Sequence, residues 1–232
     1  MKIFRIKPGL SLSPVHEMPG AIVWNFDRAE MIADGAVHIF GVATGLIAAT
    51  LLLVWTGLSE PATTFLPIAL YAAGLLAMLG LSATYNLWPV SPIKWRLRRF
   101  DHSAIYTMIA ATYTPFIVQL QNGVLSFAVL VGMWAMAIAG VLTKLVWPGR
   151  FDRLAISIYL LMGWSGLLLY REVAAVLPPA TLVFIVVGGA LYSLGVIFHV
   201  WERLRFQNAI WHGFVLAGAS CHYVAVFGLV LA

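Results

Sequence analysis

Charge is what this sequence has least of. Only 10% of its 232 residues are Asp, Glu, Lys or Arg, while 62% are hydrophobic. A soluble domain carries about 25% charged residues, so a water-facing surface cannot be made from this composition. Cysteine is almost absent. Cys221 stands alone, which excludes an intramolecular disulfide and leaves the redox compartment open. A small apolar packing residue is the reading it supports. No apolar core of signal-peptide length precedes Met31, so the first 30 residues read as a cytoplasmic lead-in rather than a cleaved leader. No basic-aromatic patch of the nucleic-acid kind is present. The excess of 14 Lys+Arg over 9 Asp+Glu therefore reports membrane topology. Strand-length alternation of polar and apolar residues is also missing, which argues against a membrane β-barrel.

What is there is a series of long apolar runs. A helix needs about 20 apolar residues to cross the hydrocarbon core. Seven stretches qualify: Met31–Leu58, Thr63–Trp88, His102–Leu120, Val124–Val146, Leu154–Tyr170, Leu177–Trp201 and Asn208–Leu231. The links are short, so neighbours run antiparallel. The expected fold is all-α: a polytopic bundle of seven transmembrane helices over residues 31–232, preceded by the cytoplasmic segment 1–30. In that segment Ile3, Phe4, Ile6, Trp24 and Phe26 are placed to touch headgroups.

Orientation follows from the cations. The lead-in holds Lys2, Arg5, Lys7 and Arg28, and the link after the second run holds Lys94, Arg96, Arg98 and Arg99. Lys144, Arg150 and Arg153 surround the link after the fourth run, and Arg203 and Arg205 follow the sixth. Only Arg171 falls on the other side. The positive-inside rule then places the N-terminus in the cytoplasm and the C-terminus outside, opposite to a rhodopsin-like receptor. The last run has no lysine for a retinal Schiff base. Trp55, Trp88, Trp95, Trp147, Trp201 and Trp211 collect at run ends as interfacial anchors. Pro115 removes a backbone donor inside the third run and predicts a kink. Gly188, Gly189 and Gly195 predict close approach of the sixth helix to a neighbour.

Ionisable groups inside a membrane are costly and each needs a reason. Glu30, Asp34 and His38 are spaced by four, which makes one stripe on a helix. Ser82 and Asn86 share a face at the end of the second run. Asp101 and His102 open the third, His199 ends the sixth, and Asn208 and His212 share a face at the start of the seventh. All lie in the half expected to face the cytoplasm. A polar cavity opening inward, lined by Glu30, Asp34, His38, His102 and His199, accounts for them jointly. His222 is placed toward the outside.

Asp101-His102-Ser103-Ala104-Ile105-Tyr106, then Ala111-Thr112-Tyr113-Thr114-Pro115-Phe116, resemble the central signature of the hemolysin III family. Tyr159-Leu160-Leu161-Met162-Gly163-Trp164 and the Gly188–Phe198 block resemble its later motifs. Ala209-Ile210-Trp211-His212-Gly213-Phe214-Val215 resembles its last helix. The likeness runs from about Glu30 to the C-terminus. That family is grouped with the progestin and adipoQ receptors, including the adiponectin receptors. The resemblance implies an adiponectin-receptor-like bundle with a zinc site near the cytoplasmic face, serving hydrolysis of a lipid amide or ester.

Carried over by position, the family's zinc histidines fall at Asn86, Asn208 and His212. The aspartate that holds the zinc-bound water falls at Asp101, and its accompanying serine at Ser82. The first-helix motif, Glu-x-x-x-Asn-x-x-x-His, reads Glu30, Asp34, His38 and departs at Asp34. A neutral amide oxygen is a poor zinc ligand, so a resident cofactor is not expected, although zinc is possible. Two arrangements follow. Asp34, His38, His102 or His199 supply replacement ligands for a metal shifted toward the first helix. Alternatively, Asn86 and Asn208 bond Asp101 and His212 directly in a metal-free core. The functional expectation is a role in membrane lipid homeostasis or lipid sensing in a bacterial cytoplasmic (inner) membrane, with a membrane lipid or fatty acid as partner. A metal-dependent lipid hydrolase with a shifted ligand set, and a cytolytic or ion-conducting pore, are the alternatives.

Overall fold

A computed structural model of the protein describes residues 26–120, 123–147 and 149–231. The headgroup contacts expected of Ile3, Phe4, Ile6 and Trp24 lie outside those residues. The chain forms α1 (Arg28–Ser59), α2 (Ala62–Leu87), α3 (Pro92–Gln119), α4 (Val124–Val146), α5 (Asp152–Trp164), α6 (Tyr170–Val176), α7 (Pro179–Val200) and α8 (Gln207–Leu231). A 3-10 turn, Ser165–Leu169, joins α5 to α6, so these three pieces make one span.

Among the described residues, six spans are long and apolar enough to cross a membrane on length and composition alone. The seventh expected span lies in α3, which carries more polar residues than the others. It can do so because α2, α4, α5 and α8 all pack on it, and a helix enclosed by protein need not be apolar all round. Ala104, Met108, Ala110, Ala111 and Phe116 of α3 are buried in the middle of the bundle. The protein is an all-helical polytopic membrane bundle.

Two boundaries differ from expectation. α3 starts at Pro92 rather than His102. Ser91 caps it by accepting from the Lys94 amide at 3.3 Å, and proline at the first position suits a helix start. Asp101 therefore lies well inside α3 and does not open it. The fifth span, expected as one helix to Tyr170, breaks after Trp164. Tyr113 of α3 fills the break: its hydroxyl lies 2.9 and 2.7 Å from the Met162 and Gly163 carbonyls and accepts from the Gly166 amide at 2.7 Å. Freed backbone groups in a membrane must be satisfied in some such way, and a partner so distant in sequence left no local signal. α3 continues as helix through Pro115 to Gln119.

Small residues set the closest packing. A Cβ at Gly188 of α7 would meet the His222 ring at 2.4 Å and the Gly218 carbonyl at 3.1 Å. Gly195 is also close, its Cβ position 2.9 Å from Phe214 of α8, whereas Gly189 faces Trp164. α1 opens with a reciprocal cap. Asp27 accepts from the Glu30 amide at 2.9 Å, and the Glu30 carboxylate accepts from the Asp27 amide at 2.8 Å. The other Glu30 oxygen accepts from the Phe206 amide at 3.1 Å, in the left-handed turn before α8 (φ 60). Glu30 thus fixes where α8 begins relative to α1.

A charged tie joins α3, α4 and α5. Arg98 and Lys144 each reach the Asp152 carboxylate at 2.6 Å. Their side chains are only 8% and 3% exposed, so neither cation has much water to fall back on. Asp152→Ala is expected to lower stability by about 3–5 kcal/mol, because two buried cations lose their counter-charge, as measured by chemical unfolding in mixed micelles. Gly188→Ala is expected to cost about 1–3 kcal/mol through overpacking, while Gly213→Ala, whose Cβ meets nothing within 4 Å, leaves the melting temperature level or higher. Orientation is checked by C-terminal fusions. Alkaline phosphatase should be active there and a fluorescent protein dark, and the reverse pattern would invert the expected topology.

Candidate metal centre

The stripe on α1 works as spacing by four dictates. Glu30, Asp34 and His38 are buried together with Gly35, Gly41 and Gly45, on the side of α1 that packs against α2 and α8. Asp34 is the hub. One of its oxygens pairs with His212 Nδ1 at 2.6 Å. The other accepts from the Asn208 amide nitrogen at 2.8 Å and lies 3.6 Å from His38 Nε2. The rings of His38 and His212 are 4.3 Å apart at their centroids. The Asn208 nitrogen also lies 3.2 Å from the Asn86 side-chain oxygen, and Asn86 donates back to the Ser82 carbonyl at 3.0 Å.

Ser82, Asn86, Asn208, Asp34, His38 and His212 are therefore brought together from α1, α2 and α8. The asparagines bond each other and Asp34. They do not bond Asp101 and His212, as the metal-free arrangement had it. The reason is positional: Asp34, one turn before His38, stands within reach of Asn208. Asp101 comes alongside through Ser82, whose hydroxyl reaches its carboxylate, and it feels the charges of His212 and His38.

The other expected cavity residues go elsewhere. Glu30 is spent on the two backbone amides described above. His102 turns to the α3–α5 tie, with Nδ1 4.0 Å from Asp152, and its carbonyl accepts from the Tyr159 hydroxyl at 3.0 Å. The His199 ring packs on Trp211 with centroids 4.8 Å apart. His222 meets the Ile185 carbonyl at 3.2 Å in the α7–α8 contact. Lys94, counted from sequence only as a topological charge, donates to the carbonyls of Asn86 and Trp88 at 2.9 Å each and so caps α2.

Asp34, His38 and His212 offer three ligand atoms within 4.8 Å of one another. Two histidines and one carboxylate are a common set for catalytic zinc, and with open positions also for non-haem iron. Ligands on a tetrahedral zinc stand about 3.4 Å apart. The 3.6 Å between His38 Nε2 and Asp34 fits that spacing. The 2.6 Å contact to His212 is a hydrogen bond, and it would open by about 0.8 Å on binding an ion. His38 Nε2 is buried with no hydrogen-bond partner, the condition of a nitrogen shaped for a ligand. The residues present fit a divalent metal.

The chain matches the family described as "Haemolysin-III related" over residues 28–223. It is 34% identical over 201 residues to the hemolysin-3 homolog of Bacillus subtilis (strain 168), covering 87% of this chain and 94% of that protein. It is 30% identical over 202 residues to hemolysin-3 of Bacillus cereus, covering 87% and 92% respectively. Human monocyte to macrophage differentiation factor is 28% identical over 206 residues, covering 85% of this chain and 83% of the human one. No solved structure matches. With its apolar spans, its bundle and a match running from the start of α1 into α8, the chain is an integral membrane protein of the haemolysin III-related family.

Proposed function

We propose that this protein serves membrane lipid homeostasis or lipid sensing through a divalent-metal centre held by Asp34, His38 and His212. The observation that supports the metal is the convergence of two imidazoles and one carboxylate, with His38 Nε2 buried, 3.6 Å from Asp34, and making no hydrogen bond. The centre keeps His212 of the positions the family resemblance implies and draws its other two ligands from α1. Asn208 donates to Asp34 and also to the Asn86 side-chain oxygen. When bound, a metal of this class supplies Lewis acidity. The chain's own residues fix the ligand geometry: Asn208 orients the carboxylate and α1 aligns His38 one turn along. Lipid is the partner class that the surroundings support, because the centre is buried among spans that face a bilayer.

A second reading, hydrolysis of a lipid amide or ester, is favoured by Asp101. Its carboxylate sits beside the centre against the Ser82 hydroxyl, where it can hold and orient a water. The names of the two bacterial relatives suggest a lytic activity. The packing lends that reading no support, because the middle of the bundle is filled by Tyr71, Met108, Ala111 and Phe116.

Protein purified in mild detergent without added metal is expected to carry about one divalent ion per chain, read by elemental mass spectrometry. Asp34→Asn combined with His38→Ala should remove it, with a lowered melting temperature that chelator reproduces in the parent. If the parent carries no metal and the Asn86→His/Asn208→His variant takes up zinc, the shifted centre is refuted. A lipid amide or ester turnover lost in Asp101→Asn would establish the second reading.

A further inference from the structure

α4 and α5 both pack on α3, and they approach each other at few points, one of them the Lys144–Asp152 pair. A groove of about 190 Å³ remains between them, with Tyr106 of α3 in it. Its walls are apolar and small: Met136, Ala139 and Gly140 on α4, Leu154 and Ile158 on α5. Gly140 keeps it shallow, because the Tyr106 ring lies where a Cβ would be. Met136 to Thr143 is about 10 Å of helix, and Ala139 and Leu154 are exposed on the side that meets lipid.

One end of this groove is strongly basic. Lys144 lines it, beside Phe151. The Arg150 guanidinium lies 5.3 Å from the centre of the Phe151 ring. Arg98 shares Asp152 with Lys144. Arg99 donates to the Leu145 carbonyl at 3.3 Å, and its Nε is buried without a partner. The acidic residues of α3, α4 and α5 are Asp101 and Asp152, and Asp101 is engaged with Ser82 of α2. Arg98 and Lys144 share the carboxylate of Asp152, and Arg99 and Arg150 add two cations at that end that pair with no carboxylate among the described residues. Excess positive charge between helices at the membrane edge calls for an anion. An apolar groove running from that charge along the bilayer calls for an acyl chain on the same molecule.

We propose that the α4–α5 groove binds an anionic phospholipid from the surrounding leaflet. Its phosphate sits among Arg99, Lys144 and Arg150, and one acyl chain lies along Met136–Thr143 against Ile158. The lipid completes the packing of α4 and α5 around α3, which the two helices do not complete by direct contact.

The test uses the full-length protein, delipidated in neutral detergent and then offered equal phosphatidylglycerol and phosphatidylcholine, with retained lipid read by native mass spectrometry. The parent should retain phosphatidylglycerol preferentially and gain melting temperature from it. Arg99→Gln with Arg150→Gln should reduce that preference by about fivefold per cation removed. Ala139→Trp, which fills the groove on its lipid-facing side, should displace the lipid with all cations kept. Melting temperatures without added lipid, close to the parent's, show that both variants fold. Equal retention of the two lipids by the parent would overturn the proposal, as would parent-like preference in the charge variant. Protection by inorganic phosphate equal to that by phosphatidylglycerol, unaffected in Ala139→Trp, would identify a free-anion site and also overturn it.

Discussion

A carboxylate buried among apolar helices has to be compensated by the protein, because the bilayer will not do it. Asp34 is that group, and α1, α2 and α8 are tied together at it. α1 presents it next to His38. α8 supplies His212 and Asn208, and α2 contributes through Asn86, which meets Asn208. Each helix is thereby held in rotation as well as position: a turn of α8 by one residue would take both Asn208 and His212 away from the carboxylate. The asparagines are structural participants in this arrangement, not gaps in it.

The same logic handles the cations differently. Lysines and arginines near a membrane are expected to snorkel toward water. Here Arg98 and Lys144 turn inward to Asp152, and Lys94 turns inward to the end of α2, where unpaired carbonyls and the negative end of the helix dipole receive it. Charges that set topology during insertion thus become fastenings once the helices have assembled. The two clusters differ in one respect that matters. Around Asp34 the partners are imidazoles and amides, which adjust their protonation or rotate. Around Asp152 the closest partners are a guanidinium and an ammonium, each 2.6 Å away, so two cations share one carboxylate.

Much of this was legible in the sequence, for reasons that can be named. The spans were legible because the bilayer sets a length and forbids unpaired backbone, and α4 begins and ends at the residues expected. The meeting of Asn86, Asn208 and His212 followed from helix spacing and the family resemblance together. What escaped was set by contacts between distant residues. The start of α3 lay hidden in a basic stretch that reads as a loop until Ser91 and Pro92 are seen as a cap. The break after Trp164 depends on Tyr113 from another helix. Asp152 did not stand out in the sequence, because its partners lie 54 and 8 positions away. Glu30 and His102 were grouped into one cavity by depth, but depth says nothing about which way a helix face turns. Asp34 was noticed as a departure from the family motif. Its departure makes physical sense only with those at positions 86 and 208.

That joint departure has an electrostatic consequence. Three neutral imidazoles around a divalent ion leave two positive charges for Asp101 alone to offset. Asp34, His38 and His212 around the same ion leave one, which Asp101 then balances, so exchanging imidazoles for amides and an amide for a carboxylate lowers the net charge buried with the metal. The exchange also brings a second carboxylate near the first, and that favours a positive charge between them whether or not a metal provides it. The 2.6 Å contact between His212 Nδ1 and Asp34 is a hydrogen bond at that place. A proton on His212 Nδ1 and a metal at the same nitrogen exclude each other, because a ligating imidazole nitrogen must be deprotonated. An ion at that nitrogen would therefore displace the proton from it, to Nε2 or to solvent. The pair is a hydrogen-bonded fastening between α1 and α8, and in the proposed centre the same two groups would be two sides of a metal site, with the Asn208 bond to Asp34 keeping the carboxylate in position.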